Sequence, residues 1–372
     1  MAGAANLRRA FEREPDAPLT VGIEEDLMLL DPVTYDLAPR AREVLDRLDG
    51  DARFVPEMPA AQLEIVGPPA ATVDEAAAAV AAARADLAAA ARDLALPAGA
   101  GVHPFAAAEG VLMRGARYEA MLAEYGPVAR RQLVFGLHVH VAVAGADRAL
   151  AVFNALRGHL PELAALGANA PYYEGLDTGL ASMRPKLCDI LPRQGVPPAI
   201  GSWDELAAAF AWARRAGRMA DPSQWWYEAR LHPRLGTIEV RVPDSQTTLG
   251  ESAALAAVVH ALVGRLVERH DAGESLATPA TWRIAENRWS ACRHGLDGTL
   301  ADLETGESRP TRERLGQLLD DLEPAARRLG CTAGLAAARG LARDNGAQRQ
   351  RAVASERGVI GLAEWLADRF LG

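Results

Sequence analysis

Residues 131–145 read RQLVFGLHVHVAVAG, and from Phe135 to Val143 every second residue is apolar. Successive side chains on an extended chain point to opposite faces, so a period of two predicts a β-strand. On it His138 and His140 face one way, and Leu137, Val139 and Val141 face the other. Three more segments carry the same signature: TVGIEEDLMLLDP (20–32), QLEIVGPP (62–69) and RLGTIEVRVPD (234–244). In the first, Gly22, Glu24 and Asp26 share a face opposite Val21, Ile23, Leu27 and Leu29, and Glu25 falls on the apolar side, outside any polar site. In the second, Gln62 and Glu64 oppose Leu63 and Ile65; in the third, Thr237, Glu239 and Arg241 oppose Ile238, Val240 and Val242.

A single strand of this kind reads most simply as half-solvated. Four such strands whose polar faces hold carboxylates, two histidines and one arginine point to a site. Clustered carboxylates repel one another unless a cation neutralises them. Hard oxygen donors with an imidazole suit Mg²⁺ or Mn²⁺. The pair His138 and His140 also fits zinc in a metal-dependent hydrolase, although zinc usually takes more nitrogen and sulfur ligands than this set offers. His103, in GVHPF, is a candidate third imidazole or a residue of a structural turn.

Around the strands, the pattern predicts a helix over 40–49, an alanine-rich helix from an N-cap at Asp74 to about 95, and helices over 147–170, 203–218 and 250–270. Residues 97–105 read as a strand or loop, 170–185 as a long loop, and the remainder as mostly helical with a loop at 296–310. Strands and helices mix without a regular βαβ rhythm, which predicts an α+β fold. Residues 1–18 read as a flexible lead-in and 19–372 as one catalytic domain. The apolar helix at 250–270 has two places to bury, the core or a homo-oligomer interface.

The 372 residues are 49% hydrophobic and 24% charged, which describes a globular chain rather than a disordered one. Forty basic against 49 acidic residues give a net charge of −9, the opposite of a nucleic-acid binder's basic field. Lys186 is the single lysine. Cys188, Cys292 and Cys331 have no CxxC spacing and read as inert reduced thiols. With no apolar signal region near Met1 and no uninterrupted apolar run of membrane-spanning length, a cytoplasmic protein without a membrane partner is expected. The patterns GxxxxGK[ST], GxGxxG and GxSxG are absent. If ATP binds, metal ions and arginines must hold its phosphates. Arg241 is placed for this, with Arg184, Arg288 and Arg293 as further candidates. Trp225, Trp226 and Tyr227 read as core packing or a substrate wall.

VGIEED, EMPAAQLEI, GVHPF, VFGLHVHV, DTGLASMRP, GTIEVRVPD and ENRWSACRHGLDG occur in this order from Leu19 onward. In order and spacing they resemble the glutamate–cysteine ligase type 2 group of carboxylate–amine ligases, within the glutamine-synthetase-like ligases. The resemblance implies a curved, mainly antiparallel sheet forming a funnel, with flanking helices. It implies ATP and Mg²⁺ (or Mn²⁺) as cofactors. The reaction would phosphorylate a carboxylate, typically the γ-carboxylate of glutamate, and pass it to an amine, typically that of cysteine. It implies metal ligands at Glu24, Asp26, Glu57, Glu64, His138 and Glu239, and a phosphoryl-steadying role for Arg241. Asp26 stands where the group's GIExE pattern has glutamate, and Ala142 where glycine is common after HVHV.

Overall fold

The computed structural model describes residues 3–12, 19–219 and 221–372. The expected strands form as β1 (Val21–Leu30), β3 (Gln62–Val66), β5 (Leu137–Ala142) and β9 (Thr237–Val240). Three short strands complete the sheet: β2 (Phe54–Pro56), β4 (Leu96–Ala98) and β8 (Ala229–His232). The order is β2-β3-β1-β5-β9-β8, with β4 on the far end of β1. Every pairing is antiparallel, and the sheet is open rather than closed into a barrel. Two small hairpins lie outside it: β6 (Tyr172–Tyr173) with β7 (Leu176–Asp177), and β10 (Thr299–Ala301) with β11 (Ser308–Pro310).

Register converts strand phase into a row of polar side chains across the sheet. Asp26 is opposite Glu64, Glu24 opposite His138, His140 opposite Glu239, and Glu239 opposite Arg230. Directly opposed residues share a face. The other face is apolar: Val21, Ile23, Leu63, Val139, Ile238 and Val240 are all buried.

Helices surround the sheet. Those of the amino-terminal half are α1 (Ala4–Arg9), α2 (Ala41–Arg47), α3 (Val73–Ala91), α4 (Ala116–Tyr125), α5 (Ala146–Leu156), α6 (Leu160–Leu166) and α7 (Arg184–Cys188). They are followed by α8 (Trp203–Arg215), α9 (Leu249–Asp271), α10 (Thr281–His294), α11 (Thr311–Arg328), α12 (Thr332–Leu341) and α13 (Gly346–Asp368). α9 is apolar nearly all round, and Leu255 through Val263 are buried among α3, α5, α11 and α12. Its length and composition would suit a membrane span, but it lies in the core, the first of the two places the sequence left open.

Several boundaries differ from expectation. Thr72, not Asp74, caps α3: its hydroxyl accepts the Glu75 N–H at 3.2 Å. The predicted helix over 147–170 is broken into α5, a 3₁₀ turn and α6, because Pro161 lacks an N–H and fits only the start of a helix. Ser202 caps α8. The expected loops at 170–185 and 296–310 hold the two hairpins. The flexible lead-in expected over 1–18 contains α1, where Leu7 and Phe11 are buried and Phe11 packs on Trp203 with ring centroids 5.1 Å apart. Residues 1–2 and 13–18 of that span lie outside the described residues.

Glu25 shows why the apolar side of β1 tolerates an acid. It is fully buried and forms a two-pronged ion pair with Arg84 of α3, at 2.7 and 2.8 Å. Ser252 of α9 donates to it at 2.5 Å. Arg84 also donates to the Phe370 carbonyl, so this pair ties sheet, two helices and the carboxyl-terminal segment together.

Candidate active site

The polar face lines a cleft of about 310 Å³. Val55 of β2, Glu64 of β3, Glu24 and Asp26 of β1, His138 of β5 and Arg230 of β8 all contribute to it. A flat sheet would hold its two edges roughly 24 Å apart at the usual strand spacing. One cleft touching both edge strands therefore calls for a concave polar face, in keeping with the curved sheet that the family resemblance implied. Of the residues expected at the site, Glu24, Asp26, Glu57, Glu64, His138, Arg184, Arg241 and Arg288 line the cleft. Glu239 lies immediately behind them, fully buried.

The acids crowd one end. His138 is the hub, with ring nitrogens 3.4 Å from Glu24, 3.6 Å from Glu64 and 3.6 Å from Asp26. Asp26 is held in place by the Gly136 N–H at 3.0 Å. Burial disfavours charge on Glu24, but hydrogen bonds from His138 and His140 outweigh it and hold this carboxyl well below the ordinary carboxylate range. Glu57 goes the other way: burial and the Asp26 charge push it up to about 7. Glu64 is raised well above its usual value by burial and by Glu24, Glu57 and Asp26. Burial and the Arg241 charge lower His138, which favours a neutral imidazole.

This arrangement fits a divalent cation. Donor atoms of Glu24, His138 and Glu239 lie within 4.8 Å of one another, and His138 Nε2 is buried without a hydrogen-bond partner among the described residues. Two acids pushed toward their protonated forms by burial and by neighbouring carboxylates are what a cation would relieve. Glu239 differs from the rest because both its oxygens are engaged, by Arg230 at 2.5 Å and by Arg241 at 2.5 Å. These two arginines hold Glu239 well below the ordinary carboxylate range against the opposing effect of burial. As a metal ligand it would have to share its oxygens with them.

His140 Nε2, like His138 Nε2, is buried without a hydrogen-bond partner among the described residues. Its Nδ1 contacts Thr237 Oγ1 at 3.0 Å, and its Nε2 lies 3.3 Å from Glu24. His103 is away from the cleft. Its Nε2 donates to the Tyr35 carbonyl and its Nδ1 accepts the Ala106 N–H, so it holds a turn, and burial lowers it to about 4.

The arginines divide by partner. Arg184 donates to the carbonyls of Arg241, Val242 and Pro243, which locks the chain just after β9. Arg288 donates to Glu228 at 2.5 Å and lies 3.4 Å from Asp189. Arg293 bonds the Gly179 carbonyl and is absent from the cleft lining. Of the aromatic trio, Trp226 lines the cleft, while Trp225 packs edge-on against Phe210 and Tyr227. Cys188 is half-buried at the cleft, and Cys292 and Cys331 are buried and pushed up to about 11 by burial.

Sequence reasoning missed Arg230, Glu228 and the helix α4, which brings Arg117 and Tyr118 to the cleft. Residues 229–232, ARLH, form a strand as long as β9, and Arg230 and His232 alternate there with Ala229 and Leu231. For α4 the signal was present and passed over: Tyr118, Met121, Leu122 and Tyr125 repeat at helical spacing.

Gly136 is a point of close approach. A Cβ there would lie 2.3 Å from an Arg184 nitrogen and 3.0 Å from His138 Nε2. Both side chains are pinned, so Gly136→Ala is expected to displace them, destabilising the protein by about 1–3 kcal/mol. Thermal unfolding of the variant checks this; an unchanged midpoint would contradict it.

The sequence profile of glutamate–cysteine ligase family 2 matches residues 20–362. The chain belongs to that family. Among similar proteins of known sequence, one from Rubrobacter xylanophilus, named "Putative glutamate--cysteine ligase 2-3", is 40% identical over 358 residues, covering 94% of this chain and 97% of its own. Another from Thermobifida fusca, named "Putative glutamate--cysteine ligase 2", is 34% identical over 366 residues, covering 94% and 90%. The fold matches that of the glutamate–cysteine ligase of Francisella tularensis, solved in complex with AMP. That likeness has a TM-score of 0.71 over 96% of this chain and 90% of that one, at 13% identity. This family-2 chain is thus a ligase of the carboxylate–amine class, with an antiparallel sheet like that of glutamate–cysteine ligase structures.

Proposed function

We propose that this ligase uses ATP to activate the γ-carboxylate of glutamate and joins it to the amine of cysteine. The observation that carries the reading is the acidic end of the cleft: Glu24, Asp26, Glu57, Glu64 and His138 converge beside Arg241. Mg²⁺ or Mn²⁺ held by these residues would neutralise the phosphate oxygens of the nucleotide and of the transferring group. The AMP complex of the Francisella enzyme supports a nucleotide in such a cleft.

Arg241 is the chain's own contribution to the transfer. Glu239 fixes its guanidinium, and its Nη1 reaches to 3.4 Å from His138 Nδ1. It therefore presents positive charge at the edge of the acid cluster without needing to reorganise, the condition under which electrostatic stabilisation works best. In the first step a glutamate oxygen attacks the γ-phosphorus and ADP leaves. In the second the amine nitrogen attacks the acyl carbon, phosphate leaves, and the amine gives up a proton. We place this activity in the cytoplasm, where ATP and reduced cysteine are both supplied.

The test is ADP release from ATP with MgCl₂, L-glutamate and L-cysteine, with product mass read in parallel. The reading expects ADP only when both amino acids are present, and a γ-glutamylcysteine mass. ADP release with a different amine would keep the chemistry and replace the acceptor. Absence of ADP release with any amine, in a folded protein, would sink the proposal.

The raised Glu57 supplies a second test. Its folded value of about 7 exceeds the ordinary 4.5. Between those values the folded chain holds a proton that the unfolded chain has lost, so this group's contribution is full below 4.5 and disappears as pH rises through 7. A bound cation needs the ionised form and reverses the penalty. The rise in unfolding temperature on adding MgCl₂ is therefore expected to be larger at pH 8 than at pH 6. Equal rises at both pH values would show that Glu57 and Glu64 hold no cation.

A further inference from the structure

The β8 side of the cleft contains a carboxylate with an unanswered oxygen. Glu228 lines the cleft and is only 9% exposed. Its Oε1 accepts from Arg288 Nε at 2.5 Å, while its Oε2 is buried and has no hydrogen-bond partner among the described residues. Leaving a buried acceptor unpaired is costly, and more so for a charged group. Arg288 cannot serve the second oxygen, because its terminal nitrogens turn to Asp189 at 3.4 and 3.5 Å.

The position of Glu228 matters as much as its missing partner. The Glu228 carbonyl accepts the Arg241 N–H at 2.7 Å, which extends the β8–β9 ladder one residue beyond the Ala229 and Val240 pair. Alternation then puts the Glu228 side chain on the face of Arg230, two residues on, and of Arg241, its cross-strand neighbour. The arginines of the same cleft are matched elsewhere: Arg230 and Arg241 pair with Glu239, Arg184 donates to backbone carbonyls after β9, and Arg288 holds Asp189 as well as Glu228 Oε1, so none of them answers Oε2. A metal ion is disfavoured there, since Oε1 is already taken by Arg288 and the nearby acid Asp189 is held by the same guanidinium. An organic N–H donor, bringing one positive charge and a directed hydrogen bond, is what the site lacks.

We infer that Glu228 recognises the protonated amino group of an amino-acid substrate, seating it beside Arg241. This rests on the proposed ligation only for the identity of the substrates, since glutamate and cysteine each carry such a group. Arg288 is then a positioning residue, which orients Glu228 and leaves Oε2 for the ligand.

The experiment measures binding by calorimetry, with wild type and Glu228→Gln. L-Glutamate is compared with glutarate and L-cysteine with 3-mercaptopropionate, each pair differing by the α-amino group. A hydrogen bond between charged groups predicts that wild type prefers one of the amino acids over its partner by about tenfold or more. In Glu228→Gln that preference should shrink to about twofold or less, as the charge is gone. The pair that responds identifies whether donor or acceptor occupies the site. Absence of preference in wild type, or a preference that survives in the variant, overturns the inference. Should Glu228→Gln fail to fold, Glu228→Asp carries the same test, because the shorter side chain withdraws the oxygen. ADP release is scored separately: its absence alongside an amino-dependent preference would defeat the ligation reading and leave the Glu228 site standing.

Discussion

Glu24→Gln should lower ATP-dependent turnover by about 10²–10³-fold, the usual cost of removing one preorganised charged contact to a reacting group. The fold should survive, because the substitution keeps the volume and Glu24 lies at the cleft with 18% of its side chain exposed. Its neighbours His138 and His140 hold its carboxyl ionised, so the charge is permanent across the working pH range. Glutamine removes that charge and leaves the acid end of the cleft one oxygen ligand short. Steady-state ADP release, read with circular dichroism and a thermal midpoint, checks both halves of the expectation. A folded variant within about threefold of wild type would remove Glu24 from the machinery, since loss of a transition-state contact cannot be so small. Glu239 is a poorer probe of the same chemistry. It is fully buried between Arg230 and Arg241, and its removal would strand two guanidinium groups. Loss of activity there would mix chemistry with lost stability.

The adjacent residue predicts the opposite phenotype. Arg84→Ala should cost about 3–5 kcal/mol of folding stability, the expected effect of stranding one member of a buried ion pair. Arg84 is 1% exposed and Glu25 is fully buried, so water cannot replace the missing partner. Ser252 would remain as a hydrogen-bond donor to Glu25, and the Phe370 carbonyl would lose the Arg84 donor. The guanidinium also stacks over the Phe370 ring at 4.9 Å, and alanine removes that cation–π interaction as well. Urea unfolding measures the effect, and a destabilisation under about 1 kcal/mol would contradict the account. Replacing both partners, as Arg84→Met with Glu25→Leu, should recover much of the stability, because an apolar pair leaves no charge uncompensated. Turnover per folded molecule should be far less affected by Arg84→Ala than by Glu24→Gln, because Arg84 is absent from the cleft lining.

Glu24 and Glu25 also show how much was legible beforehand. Their alternation alone assigned one to the polar face and the other to the apolar face, and both assignments match the structure. Alternation could not reveal that Glu25 would meet Arg84, which is 59 residues away. The same holds for Glu239. Its strand phase placed it on the site face, but the arginine clamp that occupies both its oxygens is completed by Arg230 of β8, and only the β8–β9 pairing puts Arg230 opposite Glu239.

Local periodicity is a property of a few consecutive residues, so the four long strands, their polar faces and the residue types that meet on them could be read from the chain alone. The helix at 250–270 was equally plain, because its apolar residues surround the axis. Which strand lies beside which, and how far the face curves, depends on contacts between residues far apart in the chain. Folding was needed to bring Glu57 up against Asp26, deliver Arg117 from α4, and leave Glu228 with one oxygen answered and one free. Those outcomes follow from packing and burial, and burial is a property of the whole fold that no short stretch of sequence contains.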